Sequence, residues 1–260
     1  MTHPKILTSV AVGLLCAAVL AATPNGMARA TLDQAKLTKG LIHWWKFNGN
    51  AMDSAGEIDL TPQGPYEYVP AVMGYGIDLD GATTGIYIRS PRDLQFDASF
   101  TISAWVYLRS YPASSKLWSS IIFNGDDRNG MDPYALQVNP EGKMAFLTTG
   151  ERDNLSEIQA PMPLRKFVLI TATYDKKTGS QKLYMDGKVV ASAGDKFTLT
   201  PLVPLVDGQH AGVGIGTNNG FPNSRYNFGW NGIINDLRIY NRALGMGEVQ
   251  ELVKMATSAK

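Results

Sequence analysis

Carboxylates and imidazoles carry most acid–base and metal chemistry, so their spacing is read first. Two acid clusters stand out: Asp126-Asp127 with Asp132, and Glu151 with Asp153 and Glu157. Both lie beside Gly and Asn in segments that read as loops, and they are expected to be solvated acids. His43 and His210 are far apart in the chain and have no Cys, His or Glu partner at metal spacing, which argues against zinc. There is no Gly-x-Ser-x-Gly elbow and no phosphate-cradling glycine loop.

The other chemistry-bearing pattern is aromatic. Along "FTISAWVYLRS" (Phe100–Ser110), Phe100, Ile102, Ala104, Val106 and Leu108 share one strand face. Thr101, Ser103, Trp105, Tyr107 and Arg109 share the other. A flat ring beside planar polar groups suits a sugar: the ring covers its C–H face and the polar groups take its hydroxyls. The segment "GTNNGFPNSRYNFGW" (Gly216–Trp230) offers a second such set in Asn218, Asn219, Tyr226 and Trp230. The competing readings are that Trp105 and Tyr107 lie under a covering loop, and that the long loop is shaped only by its turns.

These residues need a scaffold, and the scaffold reads as strands. "FVLITATYD" (Phe167–Asp175) puts Val168, Ile170, Ala172 and Tyr174 together, and "AGVGIG" (Ala211–Gly216) and "GIINDLRIY" (Gly232–Tyr240) are further strands. In "QKLYMDGKVVAS" (Gln181–Ser192), Asp186-Gly187 predicts a type I′ hairpin turn, which needs positive φ at both positions. "NPEG" (Asn139–Gly142) predicts another hairpin. Helical periodicity is confined to the tail, where Val249, Leu252, Val253 and Ala256 recur at i, i+3, i+4, i+7 behind Gly245 as N-cap. The fold class is all-β: a two-sheet antiparallel jelly-roll sandwich with a short C-terminal helix. One domain is expected over residues 32–253, with a frayed tail at 254–260.

Residues 1–30 read as a signal peptide: Lys5, an apolar run of about 17 residues from Ile6, and Ala28-Arg29-Ala30 as the cleavage site. A membrane anchor is the alternative, and Leu15 before Cys16 argues against a lipobox. Losing Lys5 and Arg29 takes the formal charge from +1 to −1, a balance that does not attract phosphate backbones. The expectation is an exported protein, periplasmic or at the surface of a bacterium, with no nucleic-acid partner and no membrane insertion of the mature chain.

Four segments in order resemble the LamG-like jelly-roll family of the concanavalin A-like lectin/glucanase superfamily. They are "GLIHWWKFNGNAMDSAG", "GIDLDGATTGIYIRSPRDLQFDASFTISAWVYL", "TATYDKKTGSQKLYMDGKVVAS" and "FGWNGIINDLRIYNRAL". Two departures stand out: Phe167-Val168-Leu169 replaces a Trp-His-His, and Asn235-Asp236 replaces two adjacent acids. The resemblance implies facing sheets with the first and last strands adjacent. It assigns Trp45 and Phe47 to the interior, together with Leu41 and His43 on the same face. Trp44 falls on the opposite face, against a covering tail or loop.

The family hosts lectins, glycan-binding modules, glycosidases, lyases and adhesion domains, so the resemblance implies no single activity. Its glycosidases carry a Glu-x-Asp-x-Glu strand, which this chain lacks. A lyase would need Arg, Gln, His and Tyr together, for which Arg109, Gln137, His43 and Tyr107 are the right types. The resemblance also implies a structural calcium ion, with Asp53 and Asn235 or Asp236 as candidate ligands. The reading that follows is a non-catalytic module for a glycan. The alternatives are a structural or adhesive protein binding a cell-surface protein, and a divergent polysaccharide-active hydrolase or lyase.

Overall fold

The computed structural model describes residues 35–89, 92–114, 118–125, 133–150, 154–194, 212–218 and 229–258. The expected signal peptide, Cys16, His210, the Asp126-Asp127-Asp132 cluster, Glu151, Asp153, Asn219 and Tyr226 lie outside them.

Strands form two antiparallel sheets. The first runs β13 (Lys188–Gly194), β12 (Ser180–Met185), β11 (Phe167–Asp175), β6 (Phe100–Leu108), β15 (Asn231–Tyr240), β4 (Tyr75–Asp80) and β3 (Glu67–Pro70). Beside these, β1 (Leu41–Trp45) also pairs with β15, so the first and last strands are adjacent. The second sheet runs β10 (Asn154–Pro161), β9 (Lys143–Gly150), β8 (Tyr134–Val138), β7 (Ser119–Gly125), β14 (Gly212–Ile215), β5 (Gly85–Arg89) and β2 (Pro62–Gln63). A helix, α1 (Met246–Ser258), closes the described chain.

The alternation legible in the sequence fills the space between the sheets. Phe100, Ile102, Ala104, Val106 and Leu108 of β6 and Val168, Ile170, Ala172 and Tyr174 of β11 all enter one core. From the second sheet, Ile121, Leu136, Met144, Phe146, Ile158 and Val213 meet them. Trp45 and Phe47 are fully buried there, and rings of this size contribute on the order of 2–3 kcal/mol each on burial. A polar chain also crosses between the sheets: Ser156 Oγ donates to Gln181 Oε1 at 2.7 Å, and Gln181 Nε2 donates to Thr148 Oγ1 at 2.6 Å. Asp186 and Gly187 both take positive φ, as the β12–β13 turn requires.

Two expectations are corrected. Leu41 does not share the inner face with Trp45. The β1–β15 register shifts between Leu41 and His43, so Leu41 packs toward α1 and Ile42 packs toward the core. Nor does the chain fray from residue 254, because α1 continues to Ser258 and buries Ala256. The helix begins as its sequence predicts. Glu248 Oε2 accepts from the N–H of Gly245 at 2.9 Å, one half of a capping box.

A candidate binding face on the second sheet

Helix α1 lies on the outer face of the first sheet. Val249, Leu252 and Ala256 pack there with Trp105, Leu169, Tyr184 and Tyr240. Trp105 sits opposite Leu169 across the β6–β11 pair and is only 7% exposed. The covered reading of Trp105 is therefore the one its surroundings match, and the open aromatic row is not present. The cover here is a helix where a loop was expected. Tyr107, one turn of the pleat further on, packs its ring against Phe167 at 5.3 Å and is half-buried.

The remaining members of the two aromatic sets are dispersed. Arg109 donates to Asp78 Oδ2 at 2.5 Å. It lines an open cleft of about 390 Å³ with Tyr66, Glu67 and Asp80. Trp230 is fully buried in the core between the sheets, because β15 begins next to it. Asn218 is buried at the end of β14, where its backbone folds back over Gly214; a Cβ on Gly214 would stand 2.6 Å from it. Asn219 and Tyr226 lie outside the described residues. Trp105, Arg109, Asn218 and Trp230 thus do not form one site.

The residues expected to hold calcium are engaged by N–H donors. Asp53 Oδ1 accepts from the backbone N–H groups of Trp44, Ala55 and Gly56 at 2.9–3.1 Å. Its Oδ2 meets His43 Nδ1 at 2.6 Å and also accepts from Ile58 N. Burial pushes this carboxyl up, but the bonds from His43, Trp44, Gly56 and Ala55 outweigh it and hold Asp53 below its usual range. His43, stacked 5.1 Å from Trp45, is buried along with it.

Asn235 fills a different need. Strand β15 pairs with β4 through Ile234 and with β1 from Leu237, so its free edge changes partner at Asn235–Asp236. The Asn235 amide bridges the gap. Its Oδ1 accepts from Met73 N at 3.1 Å, and its Nδ2 donates to the carbonyls of Tyr75, Lys46 and Met73 at 2.7, 3.1 and 3.2 Å. An ionised carboxylate accepts but cannot donate, which accounts for Asn where the resemblance leads one to expect an acid. Asp236, at φ 55° in the bulge, accepts from Trp44 Nε1 at 2.6 Å and pairs with Arg238 Nε at 3.0 Å. Burial pushes its carboxyl up against the pull of Arg238 and Trp44. Lys46 and Arg238 lie over the Trp44 ring at 4.2 and 4.4 Å. A hard cation needs oxygen lone pairs turned toward it, and these oxygens face hydrogens, so the three side chains do not fit a calcium ion. Among the described residues, no group of three His, Cys, Asp or Glu stands ready to hold a metal.

The second sheet offers a different surface. On its outer face Ser120, Gln137, Ala145 and Gln159 fall in one row across β7, β8, β9 and β10; the first three are buried and Gln159, at the edge, is partly open. Next to them run Phe123, Ala135, Leu147 and Glu157. At the β10 end, Trp118, Asn139, Pro140, Glu141, Glu157, Gln159 and Ser114 line an open cleft of about 410 Å³. Gln159 Nε2 donates to the Glu157 carboxylate. Asn139 is fixed by the hairpin turn, its Oδ1 accepting from Lys143 N at 2.8 Å. Trp118 and Gln159 are not among the candidates the sequence offers, and Glu157, expected in a loop, stands on β10. The signal was present in "SEIQA": Ser156, Ile158 and Ala160 alternate inward, which turns Glu157 and Gln159 outward on a strand.

A family model of the concanavalin A-like lectin/glucanases superfamily matches residues 80–250, and the chain belongs to that superfamily. No curated protein sequence matches it. Among solved structures it is similar to domain 4 of AbnA, an extracellular arabinanase from Geobacillus stearothermophilus. The TM-score is 0.62 at 19% identity, over 82% of this chain and 98% of that domain. It is also similar to a structure of botulinum neurotoxin type C (TM-score 0.64, 16% identity) and to the binding domain of Paraclostridial Mosquitocidal Protein 1 (TM-score 0.64, 15% identity). Those matches cover 86% and 84% of this chain but 53% of each toxin chain, so it spans about half of their length. At these identities the likeness is one of fold.

Two outcomes are expected. Asn235→Asp puts a carboxylate against three carbonyl oxygens and removes their donor. It should cost on the order of 3 kcal/mol, read as a fall of about 6–12 °C in Tm. Asp53, with its pKa lowered by folding, stabilises the fold fully above its unfolded value near 3.8, and that contribution is lost as pH falls through its folded value. Urea titrations from pH 7 to pH 2 should show Asp53→Asn less stable by about 1–3 kcal/mol at neutral pH and flatter below pH 4. A calcium-dependent rise in Tm that Asp53→Asn abolishes would contradict the assignment.

Proposed function

We propose that this chain is a non-catalytic binding module that recognises a carbohydrate through the cleft at the β10 edge of its second sheet. The observation that carries the reading is the cleft at the β10 edge, where a half-buried tryptophan lies with an amide and a carboxylate on rigid strands. An indole supplies apolar area for the C–H face of a sugar, and Gln and Glu supply paired donors and acceptors for its hydroxyls. The outer face of the second sheet is buried at Ser120, Gln137, Ala145, Phe123, Ala135 and Leu147, so the ligand surface is the cleft at its β10 edge, where Glu157 and Gln159 are partly open. Relatives by fold support the choice of ligand class. The arabinanase domain was solved in complex with arabinotriose, and the neurotoxin type C work concerns two ganglioside molecules.

Export to the periplasm or cell surface fits this role, and the arabinanase is described as extracellular. Among the described residues no helix is long and apolar enough to cross a membrane. A protein ligand is the second reading, since one related toxin domain was solved with rat synaptotagmin II. A glycan array read with the full chain, with and without chelator, decides between them. Binding to a defined set of glycans is the expected result. A blank array together with capture of a single cell-surface protein would overturn the carbohydrate reading, and release of reducing sugar from a polysaccharide would overturn the non-catalytic one.

A further inference from the structure

The lining of the β10 cleft has a definite charge character. Glu141 and Glu157 contribute two carboxylates, Asn139, Gln159 and Ser114 are neutral, and the described lining holds no Lys or Arg. Lys143, the cation that follows the hairpin turn, is not part of the lining. Glu157 is held in place by Gln159, which donates to it from the same face of β10. An anionic sugar entering here would bring a third carboxylate beside Glu141 and Glu157, in a partly desolvated cleft whose described lining supplies no counter-charge. A neutral sugar meets the opposite situation: an ionised carboxylate is an acceptor-only group that takes hydrogen bonds from two hydroxyls at once. The adjacent Gln159 amide carries both donors and an acceptor. The volume of about 410 Å³ lies at the small end of ligand clefts, the scale of one or two sugar rings.

We infer that this cleft is a subsite for an uncharged saccharide unit with two adjacent free hydroxyls, stacked on Trp118, with Glu157 as the residue that excludes acidic glycans. The inference rests on the carbohydrate reading above and deepens it. Glu157 sets specificity through its charge, and Trp118 sets affinity through its ring.

The test is titration calorimetry of the full chain against matched pairs of oligosaccharides: neutral gluco-, xylo-, arabino-, manno- and galacto-oligosaccharides, and their uronate or sialylated counterparts. The wild type should bind at least one neutral series about tenfold or more tighter than its acidic counterpart. Trp118→Ala should weaken that binding by at least tenfold with an unchanged circular-dichroism spectrum. Glu157→Gln, which keeps shape and removes charge, should narrow the neutral-to-acidic ratio toward one, an effect that a purely structural role would not give. If Trp118→Ala does not fold, Glu157→Gln alone decides. Preference for acidic glycans, or neutral binding untouched by Glu157→Gln and Trp118→Ala, overturns this inference and leaves the carbohydrate reading standing. Binding of neither class overturns the carbohydrate reading itself.

Discussion

The central strands of the first sheet are buried on both faces, and much else follows from that constraint. Its inner face packs on the second sheet; its outer face carries Trp105, Leu169, Tyr184 and Tyr240, which water would not tolerate together. The amphipathic helix α1 covers them, so its start has to be fixed. One guanidinium does much of this. Arg242 donates to Glu248 at 2.8 and 2.9 Å and to the carbonyls of Lys39 and Lys36 at 2.7 and 2.9 Å. It thereby ties the segment before β1, the end of β15 and the first turn of α1 into one corner. Glu248 is held below its usual carboxylate range there: burial opposes this, and Arg242 and the Gly245 N–H prevail.

The second constraint is the double duty of β15. It pairs with β6 along one edge, while its other edge serves β4 and then β1. A single strand cannot change partner without a break in its alternation, and the bulge at Asn235–Asp236 is that break: Ile234 and Leu237 both face the core with two residues between them. The unpaired backbone groups left in the gap are met by the Asn235 amide, and the buried Asp236 is met by Trp44 and Arg238. This joint unites the chain's first and last strands with side-chain hydrogen bonds, at the place where the family resemblance suggested an ion.

The legibility of these features followed their physics. Strand alternation in "FTISAWVYLRS" and the Asp186-Gly187 turn were readable because they are local, as was the helical period of the tail. Where the helix would lie was not local, and so the face of Trp105 was read as exposed or loop-covered when it is helix-covered. Leu41 was misplaced because a register shift leaves no mark in the pattern. Trp118 and Gln159 sit 41 residues apart in sequence numbering and meet only through the pairing of β7, β8, β9 and β10. Periodicity could show that Glu157 and Gln159 face outward, but not what they face.

Function therefore turns on where the sandwich leaves an open edge. The covered sheet faces serve as a platform for stability, and the Trp118 cleft at the β10 edge is left open. Hydrogen exchange on the full chain, with and without saturating neutral oligosaccharide, tests this directly. Protection confined to residues 139–142 and 155–159, with α1 unchanged, is the predicted result. Protection of α1, or of the Tyr66–Arg109 cleft in place of the Trp118 cleft, would contradict the account.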